Sequence, residues 1–308
     1  MDDEGVLDPR IAAMLEENPA LLTPLEDLSP EVLALARGPV GAPPTREIAH
    51  IVDGAVDGIP IRTYRHDLAP TGIVVYFHGG GFCIGSIGLM DNVARELAHH
   101  SGATVVSVEY RLAPEHPFPA GLDDCAAVTA WAFANAEELG GDQARVAVAG
   151  ESAGGNLAAA VALRRRDQGA APLAGQALLY PGTGGSQQFP SDNLFDGMVI
   201  SKVARAKYWS AYSGDREISH DPYAAPLHAE SLAGLPPALV VLGGCDMLRD
   251  DGRAYARRLR AEGVEVDEVC SPGQPHGFLN FGFPAAPDAF EHIGAWLRSA
   301  LTARDPLR

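Results

Sequence analysis

From residue 72 onward, short apolar runs alternate along the chain with longer segments of helical character. The runs at 72–77, 104–110, 146–149, 176–180, 238–242 and 264–270 read as strands; the first reads as buried, and the last alternates Val264, Val266 and Val269. Between and after them, 92–100, 122–139, 156–163, 253–261 and 289–301 read as helices. Upstream, 48–65 has a strand pattern that turns at Asp57-Gly58, as a hairpin does. Strands alternating with helices predict an α/β fold: a mostly parallel sheet with helices on both faces. Sites in such sheets lie beyond the carboxyl ends of the strands.

Two regions break the alternation. Residues 1 to about 45 look helical and separate: Asp8-Pro9 opens a helix with Ile11, Met14 and Leu15 on one face. Leu21, Leu25 and Leu28 follow around prolines, Ser29-Pro30-Glu31 opens a second helix with Val32, Leu33 and Leu35, and 38–44 is a breaker-rich linker. Residues 182–219 carry Phe189, Phe195, Met198, Val199 and Ile200, then Trp209 and Tyr212 at helical spacing, as a lid over a lipophilic pocket would. The expected organisation is an N-terminal helical cap segment at 1–45, a core at 46–181 and 220–308, and a cap insertion at 182–219.

Composition narrows the function. At 308 residues and 46% hydrophobic, the chain is long enough to bury a full core. No apolar run approaches the ~18 residues of a membrane span, and Met1-Asp-Asp-Glu-Gly is acidic where a signal peptide is basic, so the expected location is cytoplasmic, with no integral membrane association. A net charge of −17, with no basic cluster beyond Arg164-Arg-Arg166, argues against nucleic acid as a partner. Cys83, Cys125, Cys245 and Cys270 lie far apart, without metal-ligand spacing; they read as reduced thiols, and no metal is expected.

The chemistry centres on Val146-Ala-Val-Ala-Gly-Glu-Ser-Ala-Gly-Gly155, a strand followed by Gly-x-Ser-x-Gly and a helix. Such a turn strains the serine backbone and lifts its hydroxyl clear of the sheet; Gly150 and Gly154 let strand and helix close on each other. The pentapeptide alone also fits a Gly-rich helix start capped by a serine. What separates the two readings is whether the chain supplies a base, an acid and an oxyanion hole. A serine hydroxyl needs a base, a histidine has the right pKa, and an acid orients the histidine and stabilises its cation. In the order Ser, acid, His, the candidates are Ser152, Asp246 and His276, each at a strand end or in the loop after one. Asp246 directly follows a strand, whereas Asp250 and Asp251 are better placed to cap the next helix. Among ten histidines, His276 stands in the last loop between strand and helix. His99, His100, His220 and His292 read as surface residues, and His116 and His228 as structural. Three glycines after a buried strand bare their amides, so Gly80 and Gly81, with Ala153 after the serine, are the expected oxyanion donors.

With these residues in hand, the chain resembles the hormone-sensitive-lipase-like branch of the α/β-hydrolases, the bacterial family IV esterases. The motifs are His78-Gly-Gly-Gly-Phe82, Tyr110-Arg-Leu-Ala-Pro-Glu-His-Pro-Phe-Pro119, Gly150-Glu-Ser-Ala-Gly-Gly155, Asp246-x-Leu-x-Asp250 with Gly252 and Tyr255, and His276-Gly-Phe278. They run from about residue 45 to the end. The resemblance implies a Ser-His-Asp carboxylesterase without a cofactor, an α/β-hydrolase fold and a helical cap built from the N-terminus and the insertion. It implies the same oxyanion donors. The expected substrate is a small lipophilic ester of short to medium acyl chain, and Phe82, Cys83, Phe189, Trp209 and Tyr212 are the candidate substrate contacts. A deacetylase, or a lyase or cyclase, acting on a secondary metabolite would use the same triad. The gibberellin receptors of plants keep this fold to bind a hormone with the triad broken, but here all three residues are present. Glu151 departs from the Asp or Thr that the branch commonly has before the serine. The strand at 264–270 is the expected sheet edge, where a homodimer could form.

Overall fold

The structure is a computed structural model that describes residues 5–17, 24–38, 41–66, 70 and 72–302. Leu21 and part of the 38–44 linker lie outside the described residues. In chain order the elements are α1 (Pro9–Glu17), α2 (Pro30–Ala36), β1 (His50–Val56), β2 (Ile59–Arg65), β3 (Ile73–Phe77), α3 (Asp91–Ser101), β4 (Thr104–Val108) and α4 (Ala120–Ala134). There follow β5 (Val146–Glu151), α5 (Ala153–Asp167), β6 (Gly175–Leu179), α6 (Pro190–Leu194), α7 (Lys202–Ser213), β7 (Ala238–Cys245), α8 (Arg249–Ala261), β8 (Val266–Pro275) and α9 (Ala286–Thr302).

The strands form one sheet in the order β1-β2-β4-β3-β5-β6-β7-β8. β1–β2 and β2–β4 pair antiparallel; every pair from β4 through β3 to β8 is parallel. This is the expected α/β architecture, with the 264–270 strand at one edge. Every residue of β3, β4, β5 and β6 is buried, because these strands are covered on both faces. One core cluster holds α4, α5 and α8 side chains such as Val128, Leu157 and Leu259. A second holds Val93 and Leu97 of α3 with Ile293 and Leu297 of α9. α5 carries small and apolar residues on all sides from Ala153 to Leu163, all buried, so it is a core helix rather than an amphipathic one. Fully burying one Leu or Val of this kind stabilises the fold by about 1.5–3 kcal/mol.

Some element ends differ from expectation. α4 stops at Ala134 rather than at 139, where Asn135 turns its side-chain amide back onto the Trp131 carbonyl. α8 begins at Arg249, four residues before 253. Asp250 and Asp251 therefore stand in its first turn and do not cap it; their carboxylates reach outward to neighbouring segments.

The two regions that broke the sequence pattern meet each other. Tyr208 and Lys207 of α7 donate to the carbonyls of Leu25 (3.2 Å) and Glu26 (2.7 Å). Leu33 of α2 is buried in one cluster with Cys83, Ala113, Ala204 and Tyr208. α1 goes elsewhere: the Asp8 amide donates to the Gly273 carbonyl, and Ile11 is buried in the core cluster that contains Phe278 and Phe283.

Candidate active site

β5 ends at Glu151, and the chain turns at Ser152 with φ 52° and ψ −117° before α5 begins. A residue with a side chain at positive φ is strained, and here the surroundings hold it: the Ser152 amide donates to the Leu179 carbonyl at 2.8 Å. The flanking glycines have a steric cause. A Cβ on Gly150 would lie 2.1 Å from the Gly154 carbonyl oxygen, and one on Gly154 would lie 2.0 Å from that of Phe77.

Ser152 Oγ lies 2.9 Å from His276 Nε2, and His276 Nδ1 lies 2.8 Å from Asp246 Oδ2. Asp246 is fully buried and its other oxygen accepts the Leu248 amide at 2.7 Å. An ionised carboxylate can only accept, so Nδ1 carries the imidazole proton and Nε2 is free to accept the serine hydroxyl. The Tyr180 ring meets the imidazole edge-on, with centroids 5.1 Å apart. The three residues that sequence placed at separate strand ends are one hydrogen-bonded chain, and neither Asp250 nor Asp251 joins it: Asp250 accepts the Ser191 amide, and Asp251 those of Thr183 and Gly184.

The glycine loop after β3 lies beside the serine. Gly80 (φ 118°) and Gly81 (φ 58°) are in a region closed to most side chains. A Cβ on Gly80 would also lie 2.1 Å from the Ile84 carbonyl oxygen, and one on Gly81 would lie 2.6 Å from the Tyr208 ring. His78 is fully buried and stacks on Tyr110 at 4.3 Å. Burial pushes its pKa below the ordinary value, so the ring is neutral, and its Nδ1 donates to the Gly79 carbonyl at 2.8 Å. Gly81 and Ala153 share with Ser152 the wall of a chamber of about 50 Å³, closed on other sides by Phe82, Ile200, Tyr208 and Trp209.

Beyond Trp209 a second cleft of about 320 Å³ opens between residues 185–188 and α7. The two cavities share Gly185, Arg205 and Trp209. Arg205 pairs with both oxygens of Asp192 at 2.9 Å and donates to the carbonyls of Gly185 (3.0 Å) and Gln187 (2.7 Å). Its far side lies 4.0 Å from Asp251, which is wholly buried and accepts the Thr183 hydroxyl (2.7 Å) and the amides of Thr183 and Gly184. Burial raises the Asp251 pKa, and Arg205 and those hydrogen bonds oppose it.

Of the five expected substrate contacts, the structure brings Phe82 and Trp209 to the chamber. Tyr212 lies behind Phe82, its ring stacked on it at 3.8 Å, and is buried in the core. Cys83 is turned toward the Tyr208 carbonyl, inside the cluster with Leu33. Burial pushes its thiol up to about 12. Phe189 packs beside Gly184 at the start of α6. Ile200, Arg205, Tyr208, Leu248 and Asp251 line the chamber without having been singled out as contacts. Tyr208, one residue before Trp209 on the same predicted helix, had a legible signal; the buried Arg205–Asp251 pair, 46 residues apart, had none. Among the described residues no group of three or more His, Cys, Asp or Glu is placed to hold a metal ion.

Comparison with known proteins adds independent information. A family profile described as the alpha/beta hydrolase fold matches residues 74–280. The chain is 38% identical to Esterase LipI of Mycobacterium tuberculosis over 94% of its own length and 93% of that protein. It is 43% identical to Carboxylesterase NlhH of the same organism over 82% of this chain and 81% of that one. Among solved structures, a hyperthermophilic esterase from the archaeon Pyrobaculum calidifontis superposes with a TM-score of 0.86 at 35% identity, covering 97% of this chain and 100% of that one.

Proposed function

The chain belongs to the α/β-hydrolase fold family and is a carboxylic ester hydrolase, and on that premise we propose that Ser152, His276 and Asp246 are its catalytic triad. Ser152 attacks the ester carbonyl as His276 Nε2 takes its proton, and Asp246 stabilises the resulting imidazolium. The amides of Gly80, Gly81 and Ala153 bind the developing oxyanion, and being backbone groups of a held loop they need no reorganisation to do so. His276 returns the proton to the leaving alcohol, then activates a water that releases the acid. The observation that carries this reading is the unbroken Asp246–His276–Ser152 hydrogen-bonded chain at a positive-φ serine.

Size sets the substrate class. A chamber of about 50 Å³ takes a short acyl group, and the apolar walls at Phe82, Ile200 and Trp209 suit a small lipophilic one. The larger cleft, with Ser186, Ser210, Ser213 and Ser219 along it, favours a second reading: removal of a small acyl group from a bulky hydroxylated alcohol. Of the cap expected at 1–45 and 182–219, we propose that residues 24–38, which lie against α7, make this selection together with the insertion, while α1 packs on the core instead. Cys83, Cys125 and Cys245 are buried free thiols, which suits a reducing compartment, and we place the protein in the cytoplasm. No helix among the described residues is long and apolar enough to cross a membrane. The β8 edge offers the pairing surface for a homodimer.

The test is turnover of a p-nitrophenyl ester series, acetate to laurate, by the native protein and Ser152→Ala. Short-chain turnover that disappears in the variant, with fluorophosphonate labelling of Ser152, supports the reading. A folded native protein that neither turns over ester nor takes the label overturns it.

A further inference from the structure

Glu151 stands directly before Ser152, fully buried, and the triad makes no use of it. Its Oε1 accepts the Tyr76 hydroxyl at 2.7 Å and the Gly79 amide at 3.3 Å; its Oε2 accepts the Tyr180 hydroxyl at 2.8 Å. Tyr76 belongs to β3, and Gly79 begins the glycine loop. Tyr180 follows β6, and its ring meets the His276 imidazole edge-on with centroids 5.1 Å apart and packs on Phe278, two residues further along, at 5.6 Å. One carboxylate therefore connects the nucleophile's own backbone, the oxyanion loop and the loop that carries the base. Two of its three partners lie more than 70 residues before it in the chain, Tyr76 at a separation of 75 and Gly79 at 72.

We propose that Glu151 is the positioning residue of this active site, holding the oxyanion loop and the His276 loop in register with Ser152. The inference rests on the triad reading above. Each of its partners donates: the Gly79 amide can do nothing else, and the Tyr76 and Tyr180 hydroxyls turn their protons to the carboxylate oxygens. A buried carboxylate satisfied in this way is costly to disturb, because removing it leaves two tyrosine hydroxyls and an amide without an acceptor. The titratable and charged groups facing this cluster are His78 and Tyr76 from the β3 side, Glu109 and Tyr110 after β4, Tyr180 after β6, Asp246 after β7, and His276. The length of the side chain matters too. Aspartate, one methylene shorter, keeps the charge but retracts the carboxylate from the oxyanion loop.

The experiment compares native protein, Glu151→Gln, Glu151→Asp and Tyr180→Phe on p-nitrophenyl acetate, measuring kcat, KM and the melting temperature. Glu151→Gln keeps the shape and removes the charge. The expected result is a fall in kcat of about 10- to 100-fold with little change in KM, the scale on which small misplacements act. Glu151→Asp recovers part of kcat but not all of it, and Tyr180→Phe shows a smaller fall in kcat. Unchanged kcat in Glu151→Gln overturns the inference while the triad reading stands. A fall in kcat that comes with a raised KM and a lowered melting temperature, and that Glu151→Asp does not partly recover, also overturns it, in favour of a purely structural carboxylate. Should Glu151→Gln fail to fold, Tyr180→Phe decides: lower kcat at constant KM supports the role, and unchanged kcat removes it. Native protein without turnover removes the triad reading and this inference together.

Discussion

The floor of the site and the cap over it differ in how their residues are held. At the carboxyl ends of β3, β5 and β7, His78, Glu151 and Asp246 are wholly buried, and each position is set by hydrogen bonds to backbone or to other buried groups. Over them, α7 is half in water: Val203 is 50% exposed, and its neighbours hold the cap through ion pairs and carbonyl contacts such as Arg205–Asp192 and Lys207–Glu26. A buried hydrogen-bonded group has one low-energy arrangement, since any other leaves a polar atom without water or partner. A half-exposed contact exchanges with water at small cost. On the proposed function, the floor is thus suited to chemistry, which needs one geometry, and the proposed cap to selection among substrates.

If this contrast is right, damage to the floor should act on kcat and damage to the cap on KM and preference. The largest effect is expected from Asp246→Asn, which keeps the shape but inverts the hydrogen bond that sets the His276 tautomer; kcat should fall about 10⁴-fold with the fold intact by circular dichroism. Gly80→Ala would place a methyl against the Ile84 carbonyl at a positive φ, and kcat should drop about 100-fold, as for loss of one oxyanion donor. In the cap, Arg205→Ala leaves Asp192 and Asp251 without their cation; denaturant melting should show a loss of about 3 kcal/mol, and KM should rise while Ser152 still takes fluorophosphonate. A smaller change is expected for Trp209→Ala, which joins the chamber to the cleft: the ratio of kcat/KM for octanoate over acetate should rise about tenfold. The smallest is a null result. With its thiol pushed up to about 12 by burial, Cys83 stays protonated throughout the working range of a histidine base, so iodoacetamide at pH 8 should modify it only after unfolding. Fast labelling of Cys83 in the native protein would show the cap interface to be more open than the floor beneath it.

Much of this was legible in the chain because it depends on local rules. Gly150, Ser152 and Gly154 are neighbours in sequence, and the collision that demands glycine occurs within one turn. The strand runs were legible because burial on both faces leaves mostly apolar residues at those positions, as in β3 to β6. Helix ends were harder. α8 starts four residues early since Arg249, whose guanidinium donates to the Gly244 carbonyl, is anchored by the turn after β7 rather than by a side-chain cap. Aromatic residues in the cap could be recognised as apolar, but not sorted into those that face the chamber, as Trp209 does, and those that back it, as Tyr212 does.

The sequence by itself therefore determined the order of strands and helices, the turn at Ser152 and the identity of the three residues that meet there, because each is written in a short stretch with one physical solution. Only the tertiary structure decided which distant charges and hydroxyls share a buried space. Glu151 with Tyr76, Tyr180 and Gly79, and Arg205 with Asp192 and Asp251, come together because the parallel sheet stacks its strand ends side by side. No local pattern in the chain records that adjacency.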